Sequence, residues 1–154
     1  MVEPYRVKVV ESLPRVSPAS RRAALVAAGY NTFALDAGNA GNRFFSYASM
    51  VIPSNDAFIA SADPTAHAVF DELGNFVGGS FVVYGSRVRD AGTEVNDESC
   101  ANIPGPYCMG APYSPEDGEG FVHVANGIQG IGDLPPEMFD WRNPVASVSI
   151  RRMK

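Results

Sequence analysis

The stretch Met50–Phe58, "MVIPSNDAF", runs from an apolar strand into a cluster of polar oxygens and returns at once to apolar Phe58 and Ile59. Pro53 lacks a backbone donor and so ends strand pairing. Ser54 and Asn55 are turn formers, which leaves Asp56 presented at a sheet end while Phe58 and Ile59 re-anchor the chain on the core. The same design recurs in "RVRDAGTEVNDE", Arg87–Glu98, where Asp90, Glu94, Asn96 and Asp97 follow a short apolar approach. A third loop, "LDAGNAGN", Leu35–Asn42, contributes Asp36. In each loop the acid is flanked by Gly, Ala, Asn or Pro, residues that permit tight turns and close backbone approach.

Outward from these loops the chain reads as strands. "PYRVKVVESL" and "NTFALDAG" alternate, and "NRFFSYASMVIP" carries aromatic and small residues on both parities, as expected of a central strand covered on both faces. "GNFVGGSFVVYGSRV" forms one or two strands broken at Gly78-Gly79. "GEGFVHVANGI" and "VASVSIRRM" close the chain as two alternating strands, the second setting Ala146, Val148 and Ile150 against Val145, Ser147, Ser149 and Arg151. One helix is expected at about Ala19–Ala28, with Ser17 as N-cap, Pro18 in the first turn and Gly29 as the stop. "PTAHAVFDEL" suggests a second, short one holding an exposed His67. Fifteen Gly and twelve Pro spread along 154 residues suit many short strands joined by turns. The expectation is a single all-β domain, residues 1–154: an antiparallel β-sandwich with one or two short helices.

Charge narrows the partners. From Asn55 to Asp140 the chain has fourteen Asp or Glu against two basic residues, Arg87 and Arg89, within a net charge of −5. An acidic middle repels a phosphate backbone, which argues against nucleic acid, and it attracts cations. No apolar run reaches the roughly 18–20 residues that cross a bilayer, so membrane insertion is not expected. Cys100 and Cys108, in "CANIPGPYC", have no CxxC pair or His/Cys cluster beside them, which argues against a zinc site. They are read either as a disulfide, worth about 2–3 kcal/mol and diagnostic of an oxidising compartment, or as two free thiols. The Met-Val-Glu-Pro start has neither a basic nor an apolar leader region, so any leader is expected to have been removed.

Motifs for nucleophilic catalysis are missing: neither His67 nor His123 sits in a G-x-S-x-G elbow or another catalytic signature, and the Gly-rich stretches lack a phosphate-binding Lys. His123 alternates with Val122 and Val124 and is read as a hydrogen-bonded structural histidine. The chain is therefore not expected to be an enzyme. The acidic loops suit a hard cation such as Ca²⁺, which takes six to eight oxygens, although no EF-hand loop is present. Asp56 capping its own turn is the plainer alternative.

The motifs themselves carry a resemblance. "SYASMVIPSNDAF" looks like the "FAxMIVPSPDWF" signature of the spondin N-terminal domain, found in F-spondin, mindin and bacterial extracellular proteins. "DAGTEVNDE" resembles that family's "DAGTDSG" segment, and "GFVHVANGIQGIGDL" followed by "DWRNPVASVSI" looks like its bacterial branch. Together these cover Thr32 to Ile150. The resemblance implies a C2-like sandwich of two antiparallel sheets with one Ca²⁺ bound by loop acids. Asp56 and Asp90 match two of the family ligands. The third is a Glu nineteen positions before the first aspartate, which lands on Ala37, so the neighbouring Asp36 is its substitute. Backbone carbonyls, Asn55 or Glu94 would complete the shell. The implied role is a secreted binding or adhesion module, extracellular or periplasmic, for an extracellular protein or glycan. Integrin recognition is not carried across, because Ala57 replaces the family's aromatic residue and the animal cysteine pattern is not reproduced. The alternatives are a small metal-dependent hydrolase that uses the same acids with His123 as base, and calcium-dependent peripheral membrane binding.

Overall fold

The computed structural model describes residues 5–9, 31–35, 41–105, 107–139, 141 and 144–152. The helix expected near Ala19–Ala28 and the candidate ligand Asp36 lie outside these residues. What is described is an all-β chain of antiparallel sheets with very little helix.

The first sheet has the order β2-β1-β8-β5, built from β1 (Tyr5–Val9), β2 (Asn31–Leu35), β5 (Gly79–Tyr84) and β8 (Pro144–Arg152). The second has the order β3-β4-β6-β7, built from β3 (Ala48–Met50), β4 (Ala57–Ala60), β6 (Arg89–Asp90) and β7 (His123–Val124). A four-residue helix, α1 (Pro136–Phe139), precedes β8.

The last strand behaves as its alternation predicts, with Ala146, Val148 and Ile150 buried. Val145 is buried as well, because the register with β5 slips between Val83 and Tyr84 and leaves Val145 as the extra residue of a bulge. Both sheets feed one core. Val51, Ala57 and Ile59 come from the second sheet and its approach, Val83, Val145 and Ala146 from the first, with Ile103, Ile128, Leu134 and Trp141 supplied by connections. A second cluster, Val69, Phe70, Val148 and Ile150, adjoins it, and Phe81 packs against both. Fully burying one such aliphatic side chain stabilises by about 1.5–3 kcal/mol, which makes this shared, sandwich-like core the main force holding the sheets together.

Three expectations need correction. "NRFFSYASMVIP" is not a covered central strand. Only Ala48–Met50 is strand, it lies at a sheet edge, and all three residues are exposed. The preceding aromatics are held instead by an isolated bridge, Phe44 to Ala68, and by Phe45 N–H donating to the His67 carbonyl. "PTAHAVFDEL" forms turns and bridges rather than a helix, because Asp63 and Asp71 accept from amides two to four residues ahead. His67 is half-buried rather than exposed, its ring stacked on Phe81 at 3.6 Å between centroids. Finally, the strand expected over "GEGFVHVANGI" shrinks to His123–Val124.

Cys100 and Cys108 are joined by a disulfide that closes the loop carrying buried Ile103. Among the described residues no helix is long and apolar enough to cross a membrane.

Candidate metal centre

The second sheet gathers polar groups at one end because three of its strands start or stop at the same level. Ala57, the first residue of β4, lies opposite Asp90, the last of β6, and Asp90 lies opposite His123, the first of β7. Residues directly opposite on antiparallel strands project from the same face. His123 Nε2 accordingly lies 3.5 Å from Asp90 Oδ1. Ala57, 1% exposed, packs into the core opposite Asp90. Asp56 immediately precedes β4, and its carbonyl accepts from the Ala91 amide at 3.3 Å, which draws the two acidic loops together.

Asp56 is 7% exposed. Its Oδ2 accepts from the Thr93 amide at 2.7 Å, the Thr93 hydroxyl at 2.8 Å and the Glu94 amide at 3.1 Å. The carboxylate therefore ties one loop to another and does not cap its own turn; Ser54 does that, its hydroxyl accepting from the Ala57 amide at 3.2 Å. Asp56 Oδ1 is buried without a hydrogen-bond partner among the described residues. Leaving a buried acceptor unmatched costs about 1–3 kcal/mol, and more for a charged group.

Asp90, 3% exposed, accepts from the Gly92 amide at 2.8 Å through Oδ1 and from the Asn96 side-chain amide through Oδ2. Burial pushes its carboxyl above the ordinary value and the neighbouring Asp56 charge adds to this, while Gly92, Asn96 and His123 pull the other way. Glu94, also shifted upward by burial, accepts from the Ser114 amide at 2.9 Å.

The 119–123 segment completes the cluster. Glu119 Oε2 lies 3.5 Å from His123 Nε2, and donor atoms of Asp90, Glu119 and His123 all fall within 4.8 Å of one another, a group that can hold a metal ion. Gly92 fixes this approach. It adopts φ 67°, its carbonyl accepts from the Gly120 amide at 2.8 Å, and a Cβ there would meet the Phe121 carbonyl oxygen at 2.3 Å. His123 Nδ1 donates to the Val124 carbonyl at 3.0 Å. That contact, with Asp90 and Glu119 adding to it, holds the imidazole above its ordinary pKa.

Behind the cluster, other acids have structural duties. Glu98, buried at φ 54°, accepts from the Gln129, Gly130 and Ile131 amides, a nest of successive N–H groups around an anion. Asp97 is raised by burial, but hydrogen bonds from the Ser99 amide, Asn55 and Asn102 outweigh this and leave it below the ordinary carboxylate range. A cleft lined by Ser54, Asn55, Asp90, Asn96, Gln129 and Trp141 opens beside Asp90.

Of the three sequence candidates, Asp56 and Asp90 lie on adjoining loops, near enough for the Asp56 charge to act on Asp90; the donor cluster includes Asp90 but not Asp56, and Asp36 lies outside the described residues. Of the suggested additional ligands, Asn55 Oδ1 accepts from the Glu98 amide and Glu94 Oε2 from the Ser114 amide. The sequence reading did not place Glu119 and His123 beside Asp90. The alternation around His123 did carry a signal, since Val122 and Val124 are 60% and 53% exposed while His123 turns inward. No protein family, curated protein or solved structure matches this chain.

Proposed function

We propose that this chain is a secreted β-sandwich binding module of the spondin N-terminal type, whose acidic loop end takes one divalent cation at Asp56 and Asp90. The observation that carries this reading is the Asp56 carboxylate: Oδ2 is saturated by three donors, while Oδ1 is buried without a partner among the described residues and the Asp56 charge acts on the buried Asp90. A cation there would relieve the carboxylate repulsion and supply the missing partner. The cation's role is structural: it locks the 54–56, 90–96 and 119–123 loops into a surface that meets an extracellular protein or glycan. The disulfide supports an oxidising compartment, and the motif order from Thr32 to Ile150 supports the family.

Any ligand that binds only the folded state stabilises it by about 2.7 kcal/mol at one hundred times its Kd. For a domain of this size that corresponds to roughly 5–10 °C in Tm. Exhaustive chelation of the purified chain should lower Tm by that amount and re-addition of the cation should restore it. Melting curves that superimpose with and without chelator would remove the cation from the account.

A second reading, a small metal-dependent hydrolase, is favoured by one observation, the placement of His123 3.5 Å from both Asp90 and Glu119. Metal-loaded protein that turns over model esters or phosphoesters, with the turnover lost in His123→Ala, would establish that reading over the binding module.

A further inference from the structure

We infer that the ion at this site is a borderline cation of the zinc class, held by His123 Nε2 together with Asp90 and Glu119, and not the calcium ion that the acidic loops alone suggest. This deepens the cation reading above and rests on it.

The histidine carries the inference. A carbonyl oxygen only accepts, so the 3.0 Å contact between Nδ1 and the Val124 carbonyl places a proton on Nδ1. In the neutral ring Nε2 then holds a lone pair. That atom is buried and has no hydrogen-bond partner among the described residues, yet two carboxylate oxygens, from Asp90 and Glu119, stand 3.5 Å away. Three electron-rich atoms facing one another need a positive charge between them. A proton on Nε2 would draw its acceptor to about 2.7–2.9 Å, the range of charge-assisted bonds. Separations of 3.5 Å fit instead the edge of a coordination tetrahedron, which is about 3.4 Å when metal–ligand bonds are near 2.1 Å. A ring nitrogen bonded to a backbone carbonyl, with the other nitrogen turned to the ion, is the usual arrangement of a metal-bound histidine.

Donor supply points the same way. Calcium requires six to eight oxygens. Here Asp56 Oδ2 already accepts three hydrogen bonds and Asp90 Oδ2 accepts one from Asn96. Asn55 Oδ1 accepts from the Glu98 amide, and Glu94 Oε2 accepts from the Ser114 amide. What stays available in the cluster is the Glu119 carboxylate, His123 Nε2 and the side of Asp90 Oδ1 turned away from the Gly92 amide. Three protein donors, one of them imidazole, with a water in the fourth position match a four-coordinate N/O site and fall short of a calcium shell.

The test uses the full chain, stripped by chelation and dialysed, then titrated calorimetrically with Zn²⁺ or with Ca²⁺. Wild type and His67→Ala should bind one Zn²⁺ per chain, with Ca²⁺ at least a hundredfold weaker. His123→Ala should lose at least a hundredfold in Zn²⁺ affinity while keeping its circular dichroism spectrum. In wild type, Co²⁺ should give the intense visible bands of a tetrahedral site. Ca²⁺ binding that equals or exceeds Zn²⁺ and is indifferent to His123→Ala would overturn this inference and leave the cation-stabilised module standing. Zn²⁺ binding lost in His67→Ala but kept in His123→Ala would also overturn it. Binding of neither ion would sink both.

Discussion

Asp90 is a buried carboxylate whose value to the fold changes sign with its neighbour. Without a cation its carboxyl is raised above the ordinary 3.8, first by burial and then by Asp56. The folded state then holds the proton more tightly than the unfolded chain, so this group's contribution falls as pH rises through the raised pKa. At neutral pH in chelator, Asp90→Asn should therefore melt higher than wild type, and with the cation present it should melt lower, which paired melting curves can show. A variant less stable under both conditions would mean that Asp90 serves mainly to bind Gly92 and Asn96. The two acidic loops that hold Asp56 and Asp90 were legible in the sequence because each acid ends an apolar run inside turn-forming residues. That Glu119 and His123 gather around Asp90 was not. Nothing in a spacing of 33 residues reveals that His123 pairs directly opposite Asp90.

At the scale of elements, the site depends on how closely the 119–123 segment lies against the loop after β6. Gly92 sets that distance, combining a left-handed φ of 67° with an amide that donates to Asp90 and a carbonyl that accepts from Gly120. Gly92→Ala adds a Cβ facing the Phe121 backbone, and strain of this kind costs about 1–3 kcal/mol. Chemical denaturation should show that loss with and without the cation, and cation affinity should fall as Glu119 and His123 are pushed away from Asp90. Unchanged affinity would mean that the 119–123 segment contributes no ligand. Strand existence was largely readable from alternation, as β8 shows, but strand length was not. The residues from Arg43 to Tyr47 have aromatic strand character, yet the backbone groups of Arg43 and Phe45 are taken by the turn around His67 and Val69, and those of Tyr47 by Ser61. Such long-range pairing leaves no trace in local periodicity.

For the whole molecule, the two sheets, the disulfide and the shared core make a scaffold on which one end is unusually acidic. Its stability should also carry a pH signature remote from that end. Burial against Phe81 lowers the His67 pKa below 6.5, against a smaller opposing effect of Asp63. The unfolded chain then binds the proton more readily, so this contribution is full above pH 6.5 and is lost as pH falls through the depressed value. His67→Phe should flatten that part of the stability–pH curve relative to wild type, a comparison that denaturant midpoints across pH 5–8 would provide. The fold class was legible from Gly, Pro and alternating strands. The partner was not, since recognition surfaces leave no fixed pattern of residues. Whether carboxylates from distant parts of the chain meet on one ion is tested most directly by metal analysis after equilibrium dialysis. One divalent ion per wild-type chain is predicted, with none in the folded Asp56→Asn/Asp90→Asn variant. The same stoichiometry in both proteins, or no bound ion in either, would contradict it.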